Sequence, residues 1–297
     1  MFKKIISHLK SGDLIDVTIN YLRNYRYHNK IAEWRKLKEN GETATIPVTD
    51  NAFLKIYTDS VLSEAIYIGR FENAELDFVK RYLRKDDVFL DIGANVGLFS
   101  VVGASIVGDT GHVYSFEPVK KTYERLIENI RLNNFKNVTG INAGLSDSNG
   151  ALSMSTSNDG YDAWNSFGTP SAGSNYNKEE LPVFSLDAWI NEHNIKGANL
   201  IKIDVEGWEY KVLTGGEALF SSELAPDLLV EFTEKNCQSS GYSCGDLYDY
   251  LISFGYQLYT YDPANNSIIR DPKRSSYTHL NIVATKKPDH VSKRIKG

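Results

Sequence analysis

The stretch VFLDIGANVGLFS, residues 88–100, decides the fold of this chain. It begins with an apolar run typical of a buried strand, which ends in Asp91, and it continues through a turn of small residues into an apolar helix. Ligands of α/β proteins bind at such turns, outside the carboxyl ends of parallel strands. Gly93 and Gly97 permit close approach of the backbone, and the helix start offers free N–H groups. The carboxylate of Asp91 suits a cationic partner such as an amino group.

The spacing within this turn separates two kinds of cofactor. A dinucleotide fingerprint, G-x-G-x-x-G, requires glycines at relative positions 1, 3 and 6, where this chain has Gly93, Asn95 and Leu98. The pattern D-x-G-x-x-x-G, followed by an acid at the end of the next strand, suits S-adenosylmethionine instead. Glu117 is that acid, and we expect its carboxylate to accept hydrogen bonds from ribose hydroxyls.

Outward from this stretch, apolar runs alternate with helical patterns, which predicts a doubly wound, mostly parallel α/β sheet of the Rossmann-like kind. Two final runs have no helix between them, so they must pair as an antiparallel hairpin. We therefore expect seven strands, at residues 88–90, 112–116, 137–143, 200–203, 228–232, 256–261 and 280–285.

The remaining segments suggest the domain boundaries. Residues 1–85 are predicted to be an N-terminal annex, helical at first and then with short extended segments. Residues 86–287 form the main domain, and residues 288–297 a charged tail. A stretch rich in Ser, Asn, Gly and aromatic residues, 153–180, interrupts the main domain as a lid-like insertion.

Composition limits the classes of function. The chain has 297 residues, of which 41 % are hydrophobic and 24 % charged, and a formal net charge of −5. A nucleic-acid partner is not expected from this acidic balance. No apolar run is long enough for a transmembrane segment, so we expect a cytoplasmic protein. The amphipathic stretch 1–10 leaves peripheral membrane contact open, and a homo-oligomer also remains open.

Five stretches together resemble the FkbM-type family of class I S-adenosylmethionine-dependent methyltransferases, at residues 90–97, 116–118, 142–147, 185–187 and 201–209. The family is typified by O-methylation of hydroxyls on natural products and sugars. Asn95 stands where the general methyltransferase loop has its middle glycine, which is usual for the family, and asparagine tolerates left-handed backbone angles.

Position along this plan suggests further cofactor contacts. Ser146 and Asp147 follow the third strand, where such folds hold the adenine edge, although a simple Ser or Asx turn is the alternative. Glu72, at the start of the helix before the first strand, would pair with the amino group of the methionine moiety. Asp204 ends the fourth strand, where the reactive methyl group should lie.

Three residues are candidates for the general base that removes a hydroxyl proton: Asp204, Glu206 and His279. A neutral His279 imidazole would suit this role near pH 7. Asp204 and Glu231 are weak candidates for metal ligands, and Mg²⁺ is not expected because no third ligand is evident. In the insertion, aromatic, amide and hydroxyl groups suit a sugar, with these substrate-binding candidates: Tyr161, Trp164 and Asn165.

The leading hypothesis is an S-adenosylmethionine-dependent O-methyltransferase acting on a hydroxyl of a sugar or glycoconjugate. A natural-product hydroxyl is the alternative acceptor. N-methylation of RNA or protein is a second possibility, which the absence of an Asn/Asp-Pro-Pro-Tyr/Phe motif disfavours. A scaffold that binds the cofactor without catalysis, acting through residues 1–85, is the third.

Overall fold

A computed structural model describes residues 27–170 and 172–296, and the amphipathic stretch 1–10 lies outside this part. The strands are β1 Thr43–Thr49, β2 Ala52–Tyr57, β3 Val88–Ile92, β4 His112–Phe116, β5 Val138–Ile141, β6 Gly144–Ser146, β7 Gly150–Ser157, β8 Tyr176–Ser185, β9 Leu200–Ile203, β10 Asp227–Phe232, β11 Gln257–Asp262, β12 Ser267–Arg270 and β13 Leu280–Thr285.

Helices connect most of these strands. They are α1 27–39, α2 Val61–Ile68, α3 Asn73–Tyr82, α4 Leu98–Val107, α5 Lys120–Leu132, α6 Leu186–Glu192, α7 Glu209–Thr214, α8 Glu217–Ser221, α9 Glu234–Ser239, α10 Cys244–Ser253 and α11 Pro288–Lys296. None of the helices in the described ranges is long and apolar enough to cross a membrane.

The central sheet has the strand order β12-β11-β13-β10-β9-β3-β4-β5. Five adjacent strands are parallel to one another, in the spatial order β10, β9, β3, β4 and β5. Strand β13 runs antiparallel to both β10 and β11. The doubly wound plan with an antiparallel end is therefore confirmed. The expected count of seven strands was wrong by one, because the short and partly exposed β12 has too weak an apolar pattern to be recognised.

The sheet is buried on both faces, as its apolar strands require. All residues of β9 and β10 are buried. The four strands β3, β4, β9 and β10 run in the same direction. Their carboxyl ends therefore lie at one edge of the sheet. Side chains that follow these four strands therefore converge, and this edge carries the candidate site.

The described part of the N-terminal annex packs into the same core as the sheet. Trp34 on α1 and Leu54 on β2 are buried in one apolar cluster with Phe89 and Val101. Strands β1 and β2 form the expected extended pair. Residues 61–68, whose sequence pattern does not distinguish a helix from a strand, form the helix α2, and the side chain of Ser60 caps its start.

The insertion and the C-terminal segment are more ordered than their composition suggests. Strands β7 and β8 pair over eight residues each and join β6 in a small three-stranded sheet, which leaves residues 158–175 as the connecting loop. The predicted charged tail is the helix α11. Its Val291 and Ile295, four residues apart, are buried on one face, and Arg294 pairs with Asp87.

Candidate active site

Two cavities adjoin at the carboxyl edge of the sheet. The larger has a volume of about 290 Å³ and the smaller about 50 Å³. Five residues line both cavities and mark where they meet: Gly93, Asn95, Ala163, Asp204 and Glu206. A ligand that extends from one cavity into the other would therefore cross the turn after β3 and the end of β9.

The turn after β3 lies against the end of β9. Gly93 has φ +84°, and a Cβ atom there would lie 1.8 Å from the backbone oxygen of Asp204. Asn95 has φ 49°, which confirms the expected left-handed conformation. Gly97 lines neither cavity; a Cβ atom there would lie 2.5 Å from Leu126 Cδ1, so this glycine allows helix packing rather than ligand approach.

Glu117, at the end of β4, lines the smaller cavity as predicted. One carboxylate oxygen accepts from the Asn95 N–H at 3.0 Å and the other from the Val119 N–H at 2.9 Å. Burial raises the pKa of this carboxyl to about 8. Because the carboxyl lines the cavity, it can also bond to a ligand hydroxyl, as an acceptor or, when protonated, as a donor.

Asp91 lies beneath the turn and lines neither cavity. It is fully buried, and its Oδ2 accepts from the Ser100 hydroxyl at 2.5 Å. Burial raises its pKa, and the nearby Lys202 ammonium opposes that rise. The side chain of Asp91 therefore lies in the core under α4 and not in the lining of either cavity.

Carboxylates concentrate in the larger cavity. Four acidic residues line it, namely Glu72, Asp204, Glu206 and Glu231, with Lys202 and His279 as the basic residues. Oxygen atoms of Asp204, Glu206 and Glu231 all lie within 4.8 Å of one another. Glu206 is therefore the third acidic group beside Asp204 and Glu231, although the sequence did not make it evident as a third metal ligand. The tight turn after β9 brings it back toward β10.

Lys202 is the buried cation of this cavity. Its Nζ donates to Asp204 Oδ2 at 2.6 Å and lies 4.6 Å from the centre of the Phe99 ring. Burial opposes its charge, yet the carboxylates of Asp204 and Glu72 raise its pKa above the ordinary value. Lys202 therefore stays protonated and neutralises part of the acidic cluster.

Glu206 and Glu72 are held by strained backbone. Their φ angles are 53° and 40°, in the left-handed region that non-glycine residues rarely adopt. Glu206 Oε2 accepts from Asn236 Nδ2 at 2.7 Å, and burial together with Glu231 and Asp204 raises its pKa well above the usual range. Glu72 Oε2 is buried without a hydrogen-bond partner in the described ranges, and burial raises the pKa of Glu72 to about 8.

His279 reaches the larger cavity from the start of β13, as predicted. Its Nδ1 lies 3.3 Å from Glu231 Oε1 and 3.1 Å from the Thr233 hydroxyl. The hydrogen bond with Glu231 raises the pKa of His279 to about 9. This pairing favours the protonated ring, whereas the sequence-based expectation was a neutral imidazole.

The residues expected at the adenine edge lie outside both cavities. Ser146 is buried and accepts from Trp208 Nε1 at 3.1 Å, while Asp147 pairs with Lys211 at 2.6 Å. Gly144 and Leu145 line the smaller cavity instead. The reason is that this segment pairs with β8 as β6 and leaves the main sheet after residue 141.

The insertion loop closes over the junction of the two cavities. Asn165 lines the smaller cavity, whereas Tyr161 lines neither, and the side chain of Trp164 is outside the described part. Ser166 donates to the Glu206 carbonyl at 2.7 Å, and Asp162 accepts from Ser60 at 2.8 Å. These two bonds join the loop to the turn after β9 and to the start of α2.

Sequence reasoning assigned no role to four polar residues of the site, namely Lys202, Asp162, Thr233 and Asn236. Lys202 stands inside an apolar strand, and Asp162 lies in an insertion without periodicity. Asn236 follows β10 and is 3 % exposed. A lysine within a buried parallel strand was the available signal, because an unpaired charge in that position would be costly.

A comparison with known protein families finds a match over more than half of the chain. The family described as "Methyltransferase FkbM domain" matches residues 91–258, from the end of β3 into β11. The chain belongs to this family. It is therefore a methyltransferase of the S-adenosylmethionine-dependent class, and the match covers the turn, Glu117, the insertion and the acids after β9 and β10.

Individual relatives of this FkbM-domain chain are distant. The hexuronic acid methyltransferase AglP of Haloferax volcanii is 26 % identical over 189 residues, which cover 63 % of this chain and 74 % of that protein. Among solved structures, a precorrin-6y C5,15-methyltransferase from Geobacter metallireducens is 11 % identical with a TM-score of 0.41, covering 72 % of this chain and 86 % of the other. The M. jannaschii TYW2 structure in complex with AdoMet is 14 % identical with a TM-score of 0.38, covering 82 % and 84 %.

Proposed function

We propose that this chain is an O-methyltransferase that methylates a hydroxyl of a sugar or glycoconjugate. The observation that carries the proposal is the pair of adjoining cavities, one beside Glu117 and the other lined by carboxylates. The first suits the adenosine part of the cofactor. The second has room for the methionine part and for the acceptor.

The donor groups fit S-adenosylmethionine. Glu117 lines the smaller cavity, where its carboxyl can bond to ribose hydroxyls, and Gly93 contributes to the lining of both cavities. The buried, unpaired Oε2 of Glu72 would accept from the amino group of the methionine moiety. When bound, the cofactor supplies an electrophilic methyl group on a sulfonium centre.

The chain's own residues would position the acceptor and take its proton. We assign proton removal to Glu206, which lines both cavities where the methyl group and the acceptor would meet. Asp204 is paired with the cationic Lys202 and His279 with Glu231, whereas the hydrogen-bond partner of Glu206 is the neutral amide of Asn236. Alignment of the hydroxyl with the methyl group is the main requirement of such a displacement.

The similarity to a hexuronic acid methyltransferase supports a uronic acid or related sugar as the acceptor class. Such a sugar has two kinds of oxygen nucleophile, a hydroxyl and a carboxylate. Four carboxyl groups line the larger cavity against two basic groups. This excess favours the hydroxyl, because an acceptor carboxylate would add a further negative charge and would need no base.

The test is methyl transfer from labelled S-adenosylmethionine to a panel of sugars, which includes neutral hexoses, free uronic acids and their glycosides. We expect label to enter a base-stable methyl ether of one of these sugars, and Glu206→Gln to lower turnover at least a hundredfold. Transfer to RNA or to protein alone, or a product released as methanol by mild base, would contradict the hydroxyl assignment.

A further inference from the structure

The acids at the carboxyl ends of β9 and β10 are arranged as if to receive a cation. We propose that Asp204, Glu206 and Glu231 bind a divalent metal ion, with the side-chain oxygen of Asn236 as a further ligand. Oxygen atoms of the three carboxylates lie within 4.8 Å of one another in the larger cavity. The inference does not depend on which acceptor is methylated.

Each carboxylate is held from behind through one oxygen. Lys202 donates to Asp204 Oδ2, Asn236 to Glu206 Oε2, and Thr233 to Glu231 Oε1. The second oxygen of each carboxylate makes no hydrogen bond within the described ranges, and Glu231 Oε2 is buried as well. Outer hydrogen bonds that orient carboxylates in this way are typical of metal sites.

Asn236 supplies an observation that is independent of the acidic cluster. It is 3 % exposed and lines the same cavity, and its Oδ1 is buried without a hydrogen-bond partner among the described residues. Its Nδ2 is committed to Glu206, so the oxygen is the free end of the amide. A buried carbonyl oxygen without a partner is destabilising, and a bound cation would satisfy it.

The chemistry of the donors defines the class of ion. Three carboxylates and an amide oxygen form a hard, all-oxygen set, which suits Mg²⁺, Mn²⁺ or Ca²⁺ and not a thiophilic metal. Such an ion would also offset the excess of acidic groups in the cavity. A cation bound here would use Glu206 as a ligand. A loss of activity in a Glu206 variant would therefore not distinguish a metal ligand from a general base.

Metal binding to the full-length protein, stripped with EDTA and without cofactor, tests the proposal. Mn²⁺ is followed by the electron paramagnetic resonance of the free ion, and Mg²⁺ and Ca²⁺ by calorimetry. We expect one ion per chain, with affinity at least tenfold weaker in Glu231→Gln and in Asn236→Leu. The matched control is Asp227→Asn, a buried acid at the opposite end of β10, which should bind as wild type.

Several outcomes would overturn the site. One is a folded wild-type protein that does not saturate with any of the three ions. Another is wild-type affinity in both Glu231→Gln and Asn236→Leu. The third is displacement of Mn²⁺ by S-adenosylhomocysteine, which would assign the acids to the cofactor. If Glu231→Gln does not fold, Asn236→Leu decides. Binding of S-adenosylhomocysteine in EDTA is measured separately, so the proposed function can survive the loss of the metal site.

Discussion

At the scale of single residues, Glu117 combines a functional position with an unfavourable environment. Its carboxyl is buried and accepts two backbone hydrogen bonds, yet its pKa is raised to about 8. A glutamate in an unfolded chain titrates near pH 4.3. Between about pH 4.5 and pH 8 the native state therefore keeps a proton that the unfolded state has lost, and stability falls as the pH rises through this window.

We expect Glu117→Gln to reduce that dependence. The variant should gain stability relative to wild type between pH 6 and pH 8, by up to about 1.4 kcal/mol for each pH unit, while its affinity for S-adenosylhomocysteine falls. Thermal unfolding at both pH values and calorimetry measure the two effects. The control is Glu180→Gln, an exposed acid. Equal pH dependence in Glu117→Gln and wild type would contradict the buried, protonated state.

Sequence alone predicted the residues that depend on local pattern. The left-handed Asn95 and the position of Glu117 at a strand end follow from motif spacing and strand direction. The direction of a side chain after a strand does not follow from spacing. Ser146 and Asp147 were expected at the adenine edge, but they lie outside both cavities. The chain leaves the main sheet before them and pairs with β8.

At the scale of elements, the insertion is fixed to the site through Ser166. This side chain is 1 % exposed and donates to the backbone oxygen of Glu206. We expect Ser166→Ala to cost about 0.5–1.5 kcal/mol of local stability, to raise the acceptor KM several-fold and to leave the affinity for S-adenosylhomocysteine near that of wild type.

Hydrogen exchange over residues 158–175 and steady-state kinetics check this expectation. Ser174→Ala is the matched control, because Ser174 lies in the same loop and bonds to Asp159 rather than to the site. Unchanged exchange in Ser166→Ala would show that the loop is held elsewhere. The pairing of β7 with β8 escaped sequence reasoning because Ser and Thr make up half of β7, and Lys and Glu interrupt the first half of β8.

At the scale of the whole molecule, the described N-terminal segment and the sheet share one core. Leu54 is fully buried in the cluster that contains Phe89, whereas its neighbour Phe53 is 45 % exposed. We expect Leu54→Ala to lower the free energy of unfolding by about 2–5 kcal/mol, and Phe53→Ala to change it much less. Both variants should unfold in one transition, because a shared core unfolds as a unit.

Thermal and urea unfolding with fluorescence and circular dichroism measure this coupling. Two separate transitions, with only one shifted by Leu54→Ala, would mean that the annex folds independently. The sequence suggested a boundary at residue 85 because the alternating strand–helix pattern begins there. Pattern cannot show that β2 and α1 bury their apolar faces against the main sheet, which depends on contacts distant in sequence.

The most direct test of the account is calorimetric titration of the full-length protein with S-adenosylhomocysteine. We predict saturable binding at one site per chain, weakened at least tenfold by Glu117→Ala and unchanged by Glu180→Gln. Absence of binding in a sample that unfolds cooperatively would contradict the assignment of the two cavities to the cofactor and acceptor.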